Sequence, residues 1–464
     1  MEELFVKNKG ILKFFIVFGL ILAICATAFV GIGVRFGDNV ETYIKGIGNI
    51  HWGIDLNGGK EMTLSPKGDI TDEQLKEAVS VIKQRITDMS LNDYLVDVDE
   101  SKKEITVRVP ENTANGLTAD VIFYNLSVPG NLRFIKGEEL DDQGKPTGEV
   151  ILTGKNIVSA EPMYTESGSY IVTVTFDEEG KELFAKATEE MAKTKGALGV
   201  WMDDTFVTGA TVTTAITDGV VSLSGGNFNS ESVTNLAKQI SIGALPYEVT
   251  ASEAVDFAPL MGENAKTAAI AALAAGLVAV IVFLVLAYRL VGVCAGIALL
   301  GQTAGIVMVF TGYINAFDGI IVNKAAVLGA AASLVLGAVC SAAAAQHIKN
   351  SLTNGQGLVF AIKSGFSASL KNAMDLGAAA AVVGIVLMAA FGTVDNFFTI
   401  LFSPVMFFIK ADANSALCTF GYMLVAGVIL SFIFRVVACS IMVKSLSQVK
   451  GLNSNALYGG KKNA

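Results

Sequence analysis

Histidine and cysteine, which often bind metals or act as nucleophiles, are scarce in this chain. Among its 464 residues there are two histidines, His51 and His347, and five cysteines. The two histidines fall on opposite sides of the membrane in the topology predicted below, so we expect no paired-histidine metal or acid–base site. The sequence also has no nucleophile beside a base, no metal-ligand spacing and no phosphate loop. We therefore predict no catalytic residues, no metal, no cofactor and no enzymatic activity.

Cysteine and a basic surface are both missing from the long polar segment at 36–265. All five cysteines lie in hydrophobic runs, at Cys25, Cys294, Cys340, Cys418 and Cys439. Without disulfides, the stability of this segment must come from a packed core, and the segment is large enough to form one. It is also rich in Asp and Glu, and the chain has a net charge of −9. An acidic surface argues against nucleic acid as a partner.

Long hydrophobic runs are what the chain has in abundance, and the first of them opens it. Residues 14–34 carry no charge and are long enough to cross about 30 Å of hydrocarbon. Lys7, Lys9 and Lys13 precede the run, which favours a cytoplasmic N-terminus. Ala26-Thr27-Ala28 is compatible with a signal-peptidase site, but the apolar run continues beyond it. That continuation favours a retained anchor over a cleaved signal.

Five more spans are predicted in the second half of the chain, at 268–288, 291–311, 321–345, 376–393 and 416–443. The predicted inner segments hold Arg289, Lys349, Lys363, Lys371, Lys444, Lys450, Lys461 and Lys462, whereas the outer loops hold Lys324 and Lys410. This charge bias predicts a helical membrane protein of six spans with a large extracytoplasmic domain. Its predicted parts are a cytoplasmic tip with the first span (1–35), the extracytoplasmic domain (36–265), a five-helix bundle (266–445) and a cytoplasmic tail (446–464).

The extracytoplasmic domain alternates short strands with amphipathic helices. A helix is predicted from Thr71, where Gln74 completes a capping box, and its apolar stripe includes Leu75 and Ile82. Strands and helices interleave in βαββ-like blocks, which predicts an α+β domain of ferredoxin-like units. The polar stretch 137–148 is interpreted as a linker between a base (36–136 and 246–265) and an outer head (150–245).

Gly53-Ile54-Asp55-Leu56-Asn57-Gly58-Gly59 and Gly243-Ala244-Leu245-Pro246 are two short motifs within the segment 36–265. The first resembles the Gly-Leu-Asp-Leu-x-Gly-Gly signature of SecD, an accessory subunit of bacterial protein export, and the second matches a later motif of that family in order and spacing. The first motif also has a simpler interpretation, since Gly58 and Gly59 could only bend a strand and Asp55 could only cap a nearby turn. Residues 52–64 are accordingly predicted as a strand broken by a glycine bend.

The resemblance implies a multi-pass protein of the resistance–nodulation–division superfamily in the bacterial cytoplasmic membrane. Such a protein assists the export of preproteins together with a six-span SecF-like partner, the SecYEG channel and the SecA motor. The family's outer head is thought to hold the emerging preprotein. Phe206 and Phe228 lie near turn-like sequence in this region, and we expect them to contribute an apolar contact surface.

The membrane half departs from the family at the residue expected to carry protons. SecD proteins usually have an Asp in the fourth span, and the corresponding position here is Val339. The nearest carboxylate is Asp375, at the cytoplasmic start of the fifth span, and the one charge well inside the later spans is Arg435. Arg435 is expected either to snorkel to the cytoplasmic surface or to pair with a carboxylate of a partner subunit.

Two further features of the later spans concern packing. Small residues, among them Gly329 and Gly337, line the fourth span and permit close helix approach within this chain or against a partner. A Phe-rich segment at 396–409 is expected to be either interfacial or re-entrant.

Two functions other than export remain open from the sequence. A superfamily transporter of a lipid or a small molecule would favour a titratable pathway through the spans, which we do not find. A membrane scaffold or assembly factor would need the outer domain only to bind other proteins, and the missing acid is compatible with it.

Overall fold

The computed structural model describes residues 2–36, 39–89, 91, 93–113, 116–127, 132–137, 139–140, 146–165, 169–202, 205–225, 228–242, 245–314, 319–391 and 415–460. Two sequence predictions fall outside these ranges. They are the motif residue Gly243 and the Phe-rich segment 396–409, whose interfacial or re-entrant placement stays a prediction.

The chain starts with a long helix, α1 (Glu2–Val30), at the predicted first span, but the helix ends four residues before the predicted end at Val34, because Ile32–Val34 belong to a strand. Its part Gly10–Val30 is long and apolar enough to cross a membrane. A short antiparallel hairpin of β1 (Ile32–Phe36) and β2 (Asn39–Ile44) follows at once, which the sequence analysis did not anticipate.

The first part of the domain at 36–265 is a mixed unit that we call the base. Its elements up to residue 127 are α2 (Ile54–Asn57), β3 (Gly59–Pro66), α3 (Asp72–Asp88), β4 (Leu95–Asp99), β5 (Glu104–Val109) and α4 (Ala119–Ser127). β5 lies between β3 and β4, and both pairings are antiparallel. Thr71 caps α3 and forms the predicted capping box with Gln74. The apolar stripe of α3 packs on the sheet, where Ile82 and Ile86 are fully buried.

The second part, the head, contains two antiparallel sheets and two helices around one core. Its elements are β6 (Leu132–Lys136), β7 (Val150–Thr153), β8 (Ile157–Tyr164), β9 (Tyr170–Phe176), α5 (Glu178–Thr194), β10 (Ala197–Met202), β11 (Thr205–Thr211), β12 (Val220–Ser224) and α6 (Ser230–Ile242). The sheet orders are β11-β10-β6-β7 and β12-β9-β8. Phe134, Phe176 and Phe184 join the layers, with ring centroids 5.0 to 5.6 Å apart.

After the head, the chain returns to the base. Leu245, from the second motif, is 7% exposed and belongs to the base core. β13 (Val249–Ala251) and β14 (Val255–Phe257) then pair with successive parts of β3. The second motif therefore marks the point where the chain re-enters the base.

Three local predictions for this domain are wrong. Residues 54–57 form the helical turn α2, not a strand. β6, which the sequence analysis assigned to the base, pairs with β10 in a head sheet. The polar stretch 137–148 is not a linker between base and head, because β6 and β7 on either side of it pair antiparallel. It is the connection of a hairpin within the head.

Long apolar helices make up the second half of the described chain. They are α7 (Ala265–Thr311), α8 (Lys324–Thr353), α9 (Leu358–Phe391), α10 (Ser415–Ser431), a π-helical segment (Phe432–Ala438) and α11 (Cys439–Leu446). Together with α1, the described residues contain five helices long and apolar enough to span a membrane, counting Ala416–Leu446 as one. Helix α9 starts 18 residues before the predicted span at 376, and its first turns pack on α8 through Phe366 and Ile348.

Helix α7 reverses direction in its middle. Arg289 has non-helical backbone angles (φ 52°, ψ −122°). The segments before and after Arg289 lie close to each other, since a Cβ added at Gly292 would come within 1.9 Å of the Leu284 carbonyl oxygen. The predicted boundary between the second and third spans falls at this turn.

Candidate functional site

The first motif lies where the base meets the N-terminal ends of the long apolar helices α7 and α8. Asp55, in α2, is 7% exposed, and its Oδ2 accepts the backbone N–H of Lys324 at 2.7 Å. Lys324 is the first residue of α8, so the carboxylate satisfies one of the free N–H groups at that helix end and faces its positive dipole. The Asp55 carbonyl oxygen also accepts the N–H of Met261, just before α7. Asp55 therefore caps a membrane helix far away in sequence and not a neighbouring turn.

The glycines of the motif permit the close approach that this contact needs. Gly58 has φ +71°, which only glycine adopts without strain, and a Cβ there would lie 2.3 Å from the Phe257 carbonyl oxygen. Leu56 is 3% exposed, and a side chain at Gly53 or Gly59 would also overlap neighbouring atoms. The motif is therefore a packing element between the base and the bundle.

A second buried carboxylate, Asp93, lies beside the motif, and the sequence analysis missed it. Asp93 is 8% exposed, and its Oδ2 accepts the N–H of Ile54 at 2.7 Å. Burial raises the pKa of Asp93 from 3.8 to about 7, the hydrogen bond from Ile54 opposes this rise, and the charge of Asp55 adds to it. Asp93 precedes β4 in an unremarkable polar stretch, so only its contact with Ile54 reveals it.

Three further contacts connect the motif and the preceding Trp52 to the bundle. Trp52 forms a parallel bridge with Val322, next to the start of α8. Lys266, at the start of α7, lies 5.0 Å from the centre of the Trp52 ring and donates to Asn57 Oδ1 at 3.2 Å. The segment 52–58, which we call the junction, thus contacts the starts of both α7 and α8.

The bundle contains a buried polar cluster around Arg435. Arg435 is 3% exposed, its Nε donates to Gln302 Oε1 at 3.1 Å and its Nη1 donates to Ser341 Oγ at 2.7 Å. Gln302 is oriented by its own bond to the Ser333 carbonyl oxygen at 3.0 Å. Gly337 leaves the space for this amide, because a Cβ there would lie 2.4 Å from Gln302 Oε1.

The prediction that Arg435 snorkels is therefore wrong. Its guanidinium is 3% exposed and bonds to the neutral side chains of Gln302 and Ser341 inside this chain's own bundle. The alternative, that Arg435 pairs with a carboxylate of a partner subunit, stays a prediction. The sequence analysis overlooked Gln302, although an amide in an apolar run was the available signal.

Val339, at the position where SecD proteins usually have an Asp, faces away from the Arg435 cluster. Val339 is 53% exposed. Gly337 and Ser341, which contact the Arg435 cluster, are each two residues from Val339, about 200° around the helix. Asp375 lies on an exposed part of α9. The structure thus brings together Arg435, Gln302 and Ser341 but neither Asp375 nor Val339.

The small residues of α8 pack inside the chain. A Cβ added at Gly329 would lie 2.7 Å from Met423 Cβ on α10. Ala330, Ala344 and Ala345 are buried as well. Of the two possibilities left open by the sequence, close approach within this chain is the one found at these positions.

The two phenylalanines predicted on the head differ in their surroundings. Phe206, on β11, is 44% exposed and packs edge-to-face on Trp201, with ring centroids 5.0 Å apart. Phe228 packs against the head core. The sequence analysis missed Tyr164 on β8, whose exposed fraction of 63% is greater than that of Phe206. The Tyr164 ring packs on Tyr170.

Among the described residues, no group of three or more His, Cys, Asp or Glu side chains is placed to hold a metal ion. The arrangements above are contacts between domains and between helices, and their chemistry is hydrogen bonding and charge placement.

Comparison with known proteins finds similarity to SecD and SecDF proteins. The family model for the SecDF P1 head subdomain matches residues 138–247. The SecD subunit of Acidaminococcus fermentans is 25% identical over 334 residues, which cover 71% of this chain and 75% of the relative. The SecD subunit of a Synechocystis species is 26% identical over 70% of this chain and 78% of the relative. The resemblance to SecD found in the motifs is confirmed.

Solved structures extend the likeness to the whole fold. A crystal structure of SecDF in its super-membrane-facing form matches 95% of this chain with a TM-score of 0.67 at 21% identity. The SecDF structure from Thermus matches the same share with a TM-score of 0.52. The chain spans 58% of the first of these SecDF chains and 47% of the SecDF of Brucella abortus.

Proposed function

We propose that this chain, which shares the sequence motifs and the fold of SecD, is an accessory subunit of the Sec protein translocase that assists preprotein export. The observation that carries this proposal is the match of residues 138–247 to the SecDF head within a chain whose fold follows SecDF over 95% of its length. We do not assign it an enzymatic step, and we propose that it uses no cofactor.

The proposal includes six membrane spans with the base and head outside the cytoplasm. The reversal of α7 at Arg289 supports two spans within that one helix, since its 47 residues would extend about 70 Å if straight, twice the hydrocarbon thickness. With Lys7, Lys9 and Lys13 inside, residues 36–265 then lie outside and the tail after 446 lies inside.

We further propose that base and head are ferredoxin-like units. The β3–α3–β4–β5–α4 order of the base and the antiparallel pairing of its sheet support this for the base. Separate cores for base and head support two units.

In this proposal, the head contacts the exported chain and the junction passes its movements to the bundle. Tyr164 and Phe206 offer exposed aromatic surface on the head that suits an unfolded chain. Asp55 and Trp52 fix the base to the starts of α7 and α8, so displacement of the base pulls on both helices. The missing acid at Val339 makes proton coupling dependent on a SecF-like partner, because an apolar span conducts no protons by itself.

Photocrosslinking with co-purification tests the function. A photoreactive residue at Tyr164 or Phe206 should capture a translocation-arrested preprotein, whereas one at the exposed Ser101 of the base should not. Purification under mild conditions should recover SecYEG, SecA and a SecF-like subunit. Crosslinks confined to Ser101, or recovery of an unrelated set of partners, would instead favour the scaffold function.

Cysteine labelling tests the topology separately. Ser101→Cys should react with a membrane-impermeant thiol reagent in intact cells, and Ser447→Cys should react only after the membrane is opened. The reverse pattern contradicts the proposed orientation.

A further inference from the structure

An apolar groove lies between α8, α9 and α10. Cys340 of α8, Ala373 and Gly377 of α9, and Val428 of α10 lie along it, and Phe432 extends it onto the π-helical segment. The groove leaves about 370 Å³ for the centres of water-sized spheres, and ligand pockets in proteins have volumes of roughly 300 to 1,000 Å³. Most of the described lining residues are apolar, so the groove suits an apolar ligand.

The groove adjoins the closest contact between α9 and α10. A Cβ added at Gly384 would lie 2.6 Å from the Gly421 carbonyl oxygen, and one added at Gly377 would lie 3.2 Å from Val428 Cγ1. The two helices are thus antiparallel, and the π-helical segment begins four residues after Val428, at Phe432. π-Helical turns interrupt the regular packing of a helix and are frequent at functional sites. The groove follows this segment, on the side of the contact that faces the start of α9.

The shape and lining of the groove restrict what can occupy it. A whole helix is too wide to enter, because a helix with its side chains is about 10 Å across and the two helices that form the walls touch at Gly377 and Val428. A polar ligand would lose its hydrogen bonds to water among these apolar side chains. The walls belong to helices long and apolar enough to span a membrane, where the slender apolar molecules at hand are the acyl chains of lipids.

Positive charges lie next to one end of the groove. Lys363, Ser367 and Lys371 are exposed and follow one another at intervals of four residues along one face of α9. Met374, which lines the groove, is three residues further on and shares that face. Within the described part of the chain neither lysine forms an ion pair, and the exposed Asp375 is not paired with Lys371. Basic groups between membrane helices on the cytoplasmic side attract anionic lipid headgroups.

We propose that this groove binds an acyl chain of an anionic phospholipid, whose phosphate lies at Lys371 with Lys363 adding to the positive potential. The lipid belongs to the inner leaflet, an assignment that rests on the proposed orientation of the bundle. Cys340 and Val436 line both the groove and a small cavity beside Arg435. The bound chain therefore packs against the segment that carries Arg435 and supports its π-helical turns.

Native mass spectrometry of the purified full chain tests the site. The chain is incubated in detergent with dioleoyl phosphatidylglycerol or dioleoyl phosphatidylcholine, which share their acyl chains and differ in headgroup charge. We expect tighter binding of phosphatidylglycerol. Lys371→Gln should reduce that preference about fivefold, the contribution of one lysine near an anionic headgroup. Ala378→Leu adds bulk to the groove lining and should weaken the binding of both lipids.

Two variants serve as matched controls. Ala379→Leu adds the same bulk at the next residue of α9, which is exposed and outside the described groove lining. Lys450→Gln removes the same charge from an exposed position after α11. Both should bind the two lipids like the wild type. The proposal is overturned if the wild type binds both lipids equally, if Lys371→Gln keeps the full preference, or if Ala378→Leu and Ala379→Leu have equal effects.

A photoreactive lipid gives a direct measurement. Phosphatidylglycerol with a diazirine on its acyl chain, diluted in phosphatidylcholine bilayers, should label the groove at Met374 and Phe432. Equal labelling of Phe283 and Leu286, which are exposed on α7, would show bulk lipid only and refute a site. A photoreactive residue in place of Phe432 that captures a co-purified subunit and no lipid would refute the proposed occupant. Neither experiment depends on translocation, so failure of the lipid site leaves the proposed export function untouched.

Discussion

The buried carboxylate Asp93 should make the stability of the junction depend on pH, and Asp93→Asn should remove that dependence. Asp93 accepts a hydrogen bond from Ile54 at 2.7 Å and lies beside Asp55 in a site that is 8% exposed. The amide oxygen of Asn can accept the same hydrogen bond, so the substitution changes the charge with little change in shape.

The sign of this pH dependence follows from the difference between the pKa of Asp93 in the folded chain and its pKa in the unfolded chain. Burial raises the pKa of Asp93 to about 7 in the folded protein, from 3.8 for a free carboxyl group. An acid with a raised pKa stabilises the fold while it is protonated, and this contribution is lost as pH rises through about 7. Between pH 5 and pH 7 the unfolded chain is ionised and the folded chain is mostly protonated. A shift of one pKa unit corresponds to about 1.36 kcal/mol, so the free energy of unfolding of the wild type should fall by about 2.5 kcal/mol between pH 5 and pH 7 relative to that of Asp93→Asn.

The assay is thermal unfolding of the full chain in detergent at a series of pH values from 5 to 8. The full chain is needed because the junction contacts Asn323 and Lys324 of the bundle. Tm of Asp93→Asn minus Tm of the wild type should increase from pH 5 to about pH 7 and then level off. The exposed Asp69 serves as control, and Asp69→Asn should show no such rise. In Asp55→Asn the transition should move to lower pH, because the charge that helps to raise the pKa of Asp93 is gone.

A constant difference between Asp93→Asn and the wild type across this range would refute the reasoning. It would mean that Asp93 is ionised throughout, and hence that water or another group solvates it in the folded chain.

Two glycine substitutions test close contacts elsewhere. Gly58→Ala should destabilise the fold by about 2 kcal/mol or more, because of its positive φ and the 2.3 Å approach of its Cβ to the Phe257 carbonyl oxygen. Gly48→Ala is the control and should be nearly neutral, since no atom lies within 4 Å of the added Cβ. Equal Tm values for the two variants would contradict the packing role of the motif. Gly421→Leu should lower Tm, because its Cβ would lie 2.5 Å from the carbonyl oxygen of a glycine on α9. Gly276→Leu is the control and should leave Tm nearly unchanged, because no atom lies within 4 Å of a Cβ there. Similar unfolding curves for the two variants would mean that α9 and α10 do not pack as described.

Much of the local structure could be predicted because it depends on short-range patterns. The capping box at Thr71, the apolar stripe of α3 and the alternation of β5 each follow from residues less than two turns or a few strand positions apart. The membrane helices are as clear, since each needs only a long uncharged run. The resemblance to SecD came from the same kind of short-range information.

Two errors in the sequence analysis arose because the pairing partners of a strand cannot be read from its own residues. β6 looked like part of the base until its pairing with β10 was seen, and the stretch 137–148 looked like a linker although it closes a hairpin. Residues 54–57, which lie between Gly53 and Gly58, form a helical turn in which Asp55 accepts backbone N–H groups from α8 and from the segment before α7.

By itself, the sequence determined where the long apolar helices lie, the α+β character of residues 36–265 and the motifs that resemble SecD, because composition and periodicity act locally. Only the tertiary structure decided what the charged residues do. Asp55 caps a helix that begins 269 residues later, and Arg435 is enclosed by residues from two other membrane segments. Whether a charged side chain reaches the surface or bonds to groups inside the fold depends on its neighbours in space, and those are set by how the helices and sheets pack.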